Sequence, residues 1–236
     1  MLKQRVVLGP EFDHLPDDTE ETLVGSSLHQ GNITGIYTSL LLCGPRRGLP
    51  WFVGNQLKMV VSRRGYKRTY QPSPDILVHP TLTNSSRTSL LVDIDGPPAL
   101  IIEVTSPSTA LQSDLNLTPP ESKPKAYEEI GVAEYLVFDP SEGFVPGQVW
   151  AQRLGPQGYE PWEPGVDGRW VSQALGGIAF APQGLFLRVY DQDGTLVPLT
   201  EEFADMVRDH DQQLAERDRQ IAEMAAELRR LRGEQG

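Results

Sequence analysis

The sequence predicts a mixed α/β domain that carries a long C-terminal helix, and three observations lead there. First, two apolar runs of strand length, Ile76-Leu77-Val78-His79 and Leu100-Ile101-Ile102-Glu103-Val104, precede a helical segment over 119–130 and a third run, Tyr135-Leu136-Val137-Phe138. Strand, helix, strand in that order implies a right-handed crossover. It pairs the Glu103 strand in parallel with the 135–138 strand, directly or with a strand between. Second, short strand patterns separated by Gly-rich turns fill 145–198, which predicts an antiparallel extension. Third, from about Thr200 apolar positions recur at alternating spacings of four and three with no proline between them, which is a heptad seam. The organisation expected is an α/β core over 1–144, an antiparallel β extension packed on it over 145–200, and a C-terminal helix, a coiled coil, over 201–236.

The 236 residues suffice for one sizeable α/β domain with an appendage. No apolar stretch reaches the roughly 18 residues of a membrane span. The apolar run near Met1 is too short for a secretory signal, so the expected location is cytoplasmic, with no membrane partner. Cys43 is the only cysteine, which excludes an intrachain disulfide or a cysteine-based zinc site and leaves a small core residue. The formal net charge of −11 opposes binding to nucleic acid. The charge is uneven, however. Arg46, Arg47, Lys58, Arg63, Arg64, Lys67 and Arg68 lie in 46–68 with no acid among them, interleaved with Trp51, Phe52 and Tyr66. That stretch is either a basic face for a phosphate backbone or a solvated strand pair.

Taken in order, 9–22 reads as an acidic loop. A helix follows, capped by Ser26 or Ser27, with Leu28, Ile33, Ile36, Tyr37, Leu40 and Leu41 at helical spacing and Gly44-Pro45 as its stop. Strands are expected near 50–54 and 56–61, separate or as one strand bent at Gly54, then at 75–79 and 99–105. Residues 80–98 form a connection in which Asp93 and Asp95 are turn acids. Pro119 or Pro124 occupies the first turn of the 119–130 helix, and Gly131 stands just past its end. Further strands are expected at 149–154, 185–190 and 195–198. Trp150, Trp162 and Trp170 are core residues, or part of a binding wall. The tail seam is Phe203, Val207, His210, Leu214, Arg217, Ile221, Met224, Leu228 and Leu231. It predicts one continuous helix that dimerises the chain or docks a partner, or else folds back on its own domain.

The chemistry-bearing residues are two acids set in aliphatic strands. Asp75 opens one apolar run after Pro74, and Glu103 lies near the end of the other. A carboxylate in such a setting is costly unless it is paired or bound to a cation. Two on neighbouring strands can converge on one divalent ion, which takes hard oxygen ligands. His29 and His79 are structural histidines or site neighbours; by alternation His79 shares a strand face with Asp75. No Gly-rich phosphate loop is present.

The order Pro74-Asp75, then Glu103-Val104-Thr105-Ser106-Pro107-Ser108-Thr109, then Lys123 and Tyr127, then Gly131-Val132-Ala133-Glu134-Tyr135 ending in Asp139-Pro140, resembles the Uma2 family, also called DUF820. The resemblance runs loosely over 20–200 and is sharpest over 74–140. It implies a restriction-endonuclease-like core, a mixed sheet flanked by helices, and a PD-(D/E)xK-type site hydrolysing phosphodiester bonds in DNA. Carried onto these positions, Asp75 and Glu103 hold Mg²⁺, with Mn²⁺ as a substitute, and the backbone carbonyl of Val104 adds an oxygen. Position 105, where the simplest motif has lysine, is threonine. By the resemblance the lysine comes from the following helix as Lys123, four residues before Tyr127, with Lys125 as the alternative. Gly25 stands where the family often has a glutamate, with Glu20 or Glu21 as candidate substitutes. The connection from Thr109 to Lys123 is longer than usual. The competing expectation is a catalytically weak or inactive module that binds nucleic acid or protein. The expected partners are DNA and a second copy of the chain, held through the C-terminal helix alone or with the core.

Overall fold

A computed structural model describes residues 20–46, 49, 51–61, 72–82, 88–106, 110, 114–115 and 122–233; for 20–26, 45–46, 227–229 and 231–233 it describes backbone only. Of the seven basic side chains in 46–68, only that of Lys58 is among those described. The chain divides into two compact units, Met1–Leu196 and Val197–Gly236.

In the first unit a helix, α1 (Glu20–Arg46), precedes two short strands, β1 (Phe52–Asn55) and β2 (Lys58–Val60). The helix begins before the serines expected to cap it and passes through Gly44-Pro45, so the expected loop end at 22 and stop at 44 are both off by a few residues. Its buried stripe, Ile33, Ile36, Leu40 and Cys43, runs up to Gly44-Pro45, and that apolar face carries the helix past the stop. β1 and β2 are separate strands. The break falls at Gln56, whose φ of 49° turns the chain, and not at Gly54. Gly54 is a packing glycine, because a Cβ there would stand 3.1 Å from Leu77 Cγ and 3.2 Å from Leu57 Cβ.

β3 (Ile76–His79) follows. The expected connection 80–98 contains β4 (Ser89–Leu91) and a single-turn helix, α2 (Val92–Asp95), in which Asp95 accepts from Leu91 N–H at 2.9 Å as a turn acid. Next come β5 (Leu100–Val104), α3 (Lys123–Ile130) and β6 (Glu134–Phe138). β7 (Val149–Gly155), β8 (Gly158–Pro161), β9 (Trp170–Val171), β10 (Ala179–Gln183) and β11 (Phe186–Tyr190) complete the unit. Six strands form one mixed sheet in the order β1-β3-β5-β6-β7-β8, with β5 and β6 parallel and directly paired. The stretch expected as an antiparallel extension is two objects. β7 and β8 lengthen the central sheet, whereas β9, β10 and β11 make a separate three-stranded sheet. Residues 195–198 contribute only an isolated bridge, Tyr190 to Leu196.

β5 and β6 are buried at every position, as expected for central strands covered on both faces. One face packs Leu77, Ile101, Tyr135 and Val137 against Tyr127 and Ile130 of α3, with Trp150 at the margin. The helix α3 starts at Ser122, whose hydroxyl accepts from Lys125 N–H at 3.1 Å; Pro124 is the proline in the first turn, and Gly131 closes the helix at φ 90°. Asn32 joins α1 to β11, donating to Leu185 O at 2.9 Å and accepting from Leu187 N–H at 3.1 Å. Trp162 is buried, with the Arg153 guanidinium 5.0 Å from its ring, so core packing holds for this tryptophan.

Glu134 of β6 ties the two sheets together. Its buried carboxylate pairs with Arg153 at 3.0 Å, and it accepts from the Ser172 hydroxyl and from Gln173 N–H at 2.9 Å. Glu134→Ala leaves Arg153 and the Ser172 turn without their acceptor, a loss of about 3 kcal/mol or more for a broken buried pair. The check is the urea midpoint of the full-length chain. A change under about 0.5 kcal/mol, typical of a surface substitution, would sink the bolt reading.

The second unit is dominated by α4 (Thr200–Gly233), a continuous helix of 34 residues, about 51 Å at 1.5 Å per residue. Glu202 Oε2 accepts from Leu199 N–H at 2.9 Å, the return half of a capping box, which fixes the start where the sequence places it. Phe203, Val207, Leu214, Ile221 and Met224 of the seam are exposed. No helix among the described residues is long and apolar enough to cross a membrane.

Candidate functional site

The antiparallel ladder of β3 on β5 pairs Ile76 with Ile102. One residue beyond, Asp75 and Glu103 stand opposite each other, on the face that α3 covers. Each acid reaches across to the other strand's backbone. Asp75 N–H donates to Glu103 Oε2 at 3.2 Å, and Val104 N–H donates to Asp75 Oδ2 at 2.9 Å. Both sit at the carboxyl end of the parallel β5–β6 pair, where open α/β sheets commonly bind ligands.

α3 completes the group. Lys123 is its first residue and Tyr127 lies one turn later, so both point the same way. Lys123 Nζ is 3.1 Å from Glu103 Oε1, and Tyr127 O–H donates to the same oxygen at 2.8 Å. Lys123 Nζ also lies 2.7 Å from Asp114 Oδ1. Asp114 Oδ2 accepts from the Thr105 hydroxyl at 3.0 Å, and Asp114 O accepts from Tyr135 O–H at 3.0 Å. His29 of α1 places Nε2 3.8 Å from Asp75 Oδ1, and its buried Nδ1 has no hydrogen-bond partner among the described residues.

The electrostatics follow from three carboxylates sharing one ammonium. Burial, reinforced by Asp75 and Asp114, pushes Glu103 up to about 8, against the opposing pull of Lys123 and the Tyr127 hydroxyl. Burial also raises Asp75, opposed by Val104 N–H, His29 and Lys123. For Lys123, burial acts to lower the ammonium, but Glu103 and Asp114 outweigh it and hold the group above its ordinary value.

The structure thus brings together Asp75, Glu103 and Lys123. Lys125 turns away to Glu128, 3.2 Å from Oε2. His79 sits at the far end of β3 and accepts from Thr81 N–H at 3.3 Å, a local structural contact. Gly25 lies within α1, and the side chains of Glu20 and Glu21 are outside the described residues. Sequence reasoning passed over Asp114, which is 1% exposed. A signal was present: Asp114 is the only acid between Glu103 and Glu121, and Thr105 supplies a hydroxyl two residues after Glu103.

The donor set fits a hard divalent cation. Among the described residues no three His, Cys, Asp or Glu side chains form a ligand group, so a zinc-like cage is not built here. Two carboxylates on adjacent strands, short of positive charge, match the one or two carboxylates by which Mg²⁺ is usually held while keeping its waters.

The family model described as "Uma2: Putative restriction endonuclease" matches residues 24–182. The chain belongs to the Uma2 family. Among solved structures, one described as "a putative nuclease belonging to DUF820" from Anabaena variabilis is 14% identical, with 75% of each chain covered and a TM-score of 0.39. No curated protein matches. In this Uma2 member, the residue two places after the strand glutamate is Thr105, and the ammonium beside Glu103 belongs to the helix that follows.

Proposed function

We propose that this Uma2 chain is a divalent-cation-dependent DNA endonuclease that hydrolyses phosphodiester bonds through Asp75, Glu103 and Lys123. The observation that carries this reading is the ammonium of Lys123 beside Glu103, although position 105 holds no lysine. Asp75 and Glu103 would hold Mg²⁺, or Mn²⁺ in its place, with the Val104 carbonyl as a further oxygen. When bound, the ion supplies Lewis acidity and a lowered pKa for coordinated water. Lys123 presents a fixed positive charge where negative charge develops on a phosphoryl group, and orients the attacking water. Tyr127 fixes the Glu103 carboxylate, and His29 flanks Asp75. Supercoiled plasmid incubated with the full-length protein and Mg²⁺ or Mn²⁺ should become nicked, and EDTA should stop it. A protein that binds neither ion and cuts neither single- nor double-stranded DNA would favour the binding-module reading.

The same reading gives α4 the assembly role. Its exposed apolar seam suits a second copy of the helix, with His210 and Arg217 setting register. Deleting 201–236 is expected to turn a dimer into a folded monomer in sedimentation velocity. Full-length protein that runs as a monomer at micromolar concentration would remove this role.

A further inference from the structure

We infer that Asp114 is the positioning residue for Lys123, and that Thr105 is there to hold Asp114. The inference rests on the nuclease reading for what the lysine does, but not for where the lysine is placed. Lys123 begins a helix of eight residues, and its side chain must reach Glu103 from there. An ammonium on a four-carbon stem has many rotamers, and one carboxylate contact does not select among them. Two do: Glu103 Oε1 at 3.1 Å and Asp114 Oδ1 at 2.7 Å bracket Nζ.

Asp114 is itself held at three points. Its Oδ2 accepts from Thr105, its Oδ1 faces Lys123, and its backbone carbonyl accepts from Tyr135, a fully buried residue of β6. The neighbouring backbone is tied as well, since Leu115 N–H donates to Ala110 O at 2.9 Å. Both carboxylate oxygens of Asp114 are therefore engaged by donors. Asp114 thus holds the Lys123 ammonium from the side opposite Glu103. The position two residues after Glu103 has not been emptied of function. Thr105 still governs the site's lysine, at one remove.

The test measures Lys123 directly. Competitive acylation of full-length protein, read by mass spectrometry, reports exposure and reactivity of each lysine. Asp114→Asn keeps the shape of the side chain but offers only an amide beside the ammonium. It should increase labelling of Lys123 several-fold while Lys125 stays constant. Thr105→Val should do the same to a smaller degree, and Thr105→Ser should restore the wild-type pattern. In nicking assays Asp114→Asn should lower kcat about 10- to 100-fold, the scale of a small misplacement of a reacting group, with KM and Mn²⁺ affinity within about twofold. Unchanged Lys123 labelling in both Asp114→Asn and Thr105→Val overturns the inference. Wild-type protein that does not cut would end the nuclease reading, and the labelling pattern would still decide the positioning role.

Discussion

Replacing Asp75 or Glu103 by alanine should abolish both Mn²⁺ binding and DNA cleavage. One remaining carboxylate holds a strongly hydrated Mg²⁺ poorly, and each acid also orders the other's strand through a backbone N–H. Isothermal calorimetry with Mn²⁺, beside plasmid nicking, reads both losses; nicking that persists in both variants would belong to a contaminant. The same site gives a pH dependence. Without metal, Glu103 keeps its proton up to about pH 8, against an ordinary value of 4.5. Cation binding must displace that proton, so Mn²⁺ affinity should rise with pH and level off above about 8. Between pH 4.5 and 8 the folded chain binds a proton that the unfolded chain does not, so this group lowers metal-free stability as pH rises through that window. Glu103→Gln removes that contribution. If the stability difference between wild type and Glu103→Gln is flat from pH 5 to 9, Glu103 ionises normally and the buried-cluster account fails.

Lys123→Ala should leave Mn²⁺ binding largely intact and slow cleavage by about 10² to 10³, the scale of losing one preorganised group that stabilises developing charge. Lys125→Ala should change the rate little, because its ammonium is engaged by Glu128 on the side of α3 away from the acids. Single-turnover rates at saturating Mn²⁺ separate the two lysines. Equal losses in both variants would mean that the helix as a whole, rather than the Lys123 ammonium, supports cleavage. A Lys123→Ala protein that no longer binds metal would move the lysine from chemistry to site assembly.

The juxtaposition of the candidate residues was legible in part from local rules, for the two acids, and in part from the Uma2 resemblance, for Lys123. Asp75 and Glu103 interrupt apolar runs, and Lys123 and Tyr127 are one helical turn apart. Parallel pairing of β5 with β6 followed from the intervening helix. What escaped has physical reasons too. Asp114 lies in a connection whose local sequence carries no period, and its role depends on a threonine nine residues earlier and a tyrosine two elements later. β7 and β8 read as a separate extension because hairpin patterning says nothing about which sheet edge a hairpin joins. The end of α1 was misplaced because a buried stripe reaching Cys43 carries the helix past the local breakers Gly44 and Pro45. The role of Glu134 was hidden because its partners, Arg153 and Ser172, come from strands and turns far along the chain.

The Glu134 bolt separates what is inherited as architecture from what is inherited as chemistry. Glu134 belongs to the same short motif as the site's neighbours, yet its carboxylate binds Arg153 of β7 and the Ser172–Gln173 turn that follows the second sheet's β9. In a set of relatives, Glu134, Arg153 and Ser172 should therefore change together, tracking whether the three-stranded sheet is kept. Asp75, Glu103, Lys123 and Asp114 should change together on their own schedule. A relative whose candidate site had decayed would keep the first group and drift in the second.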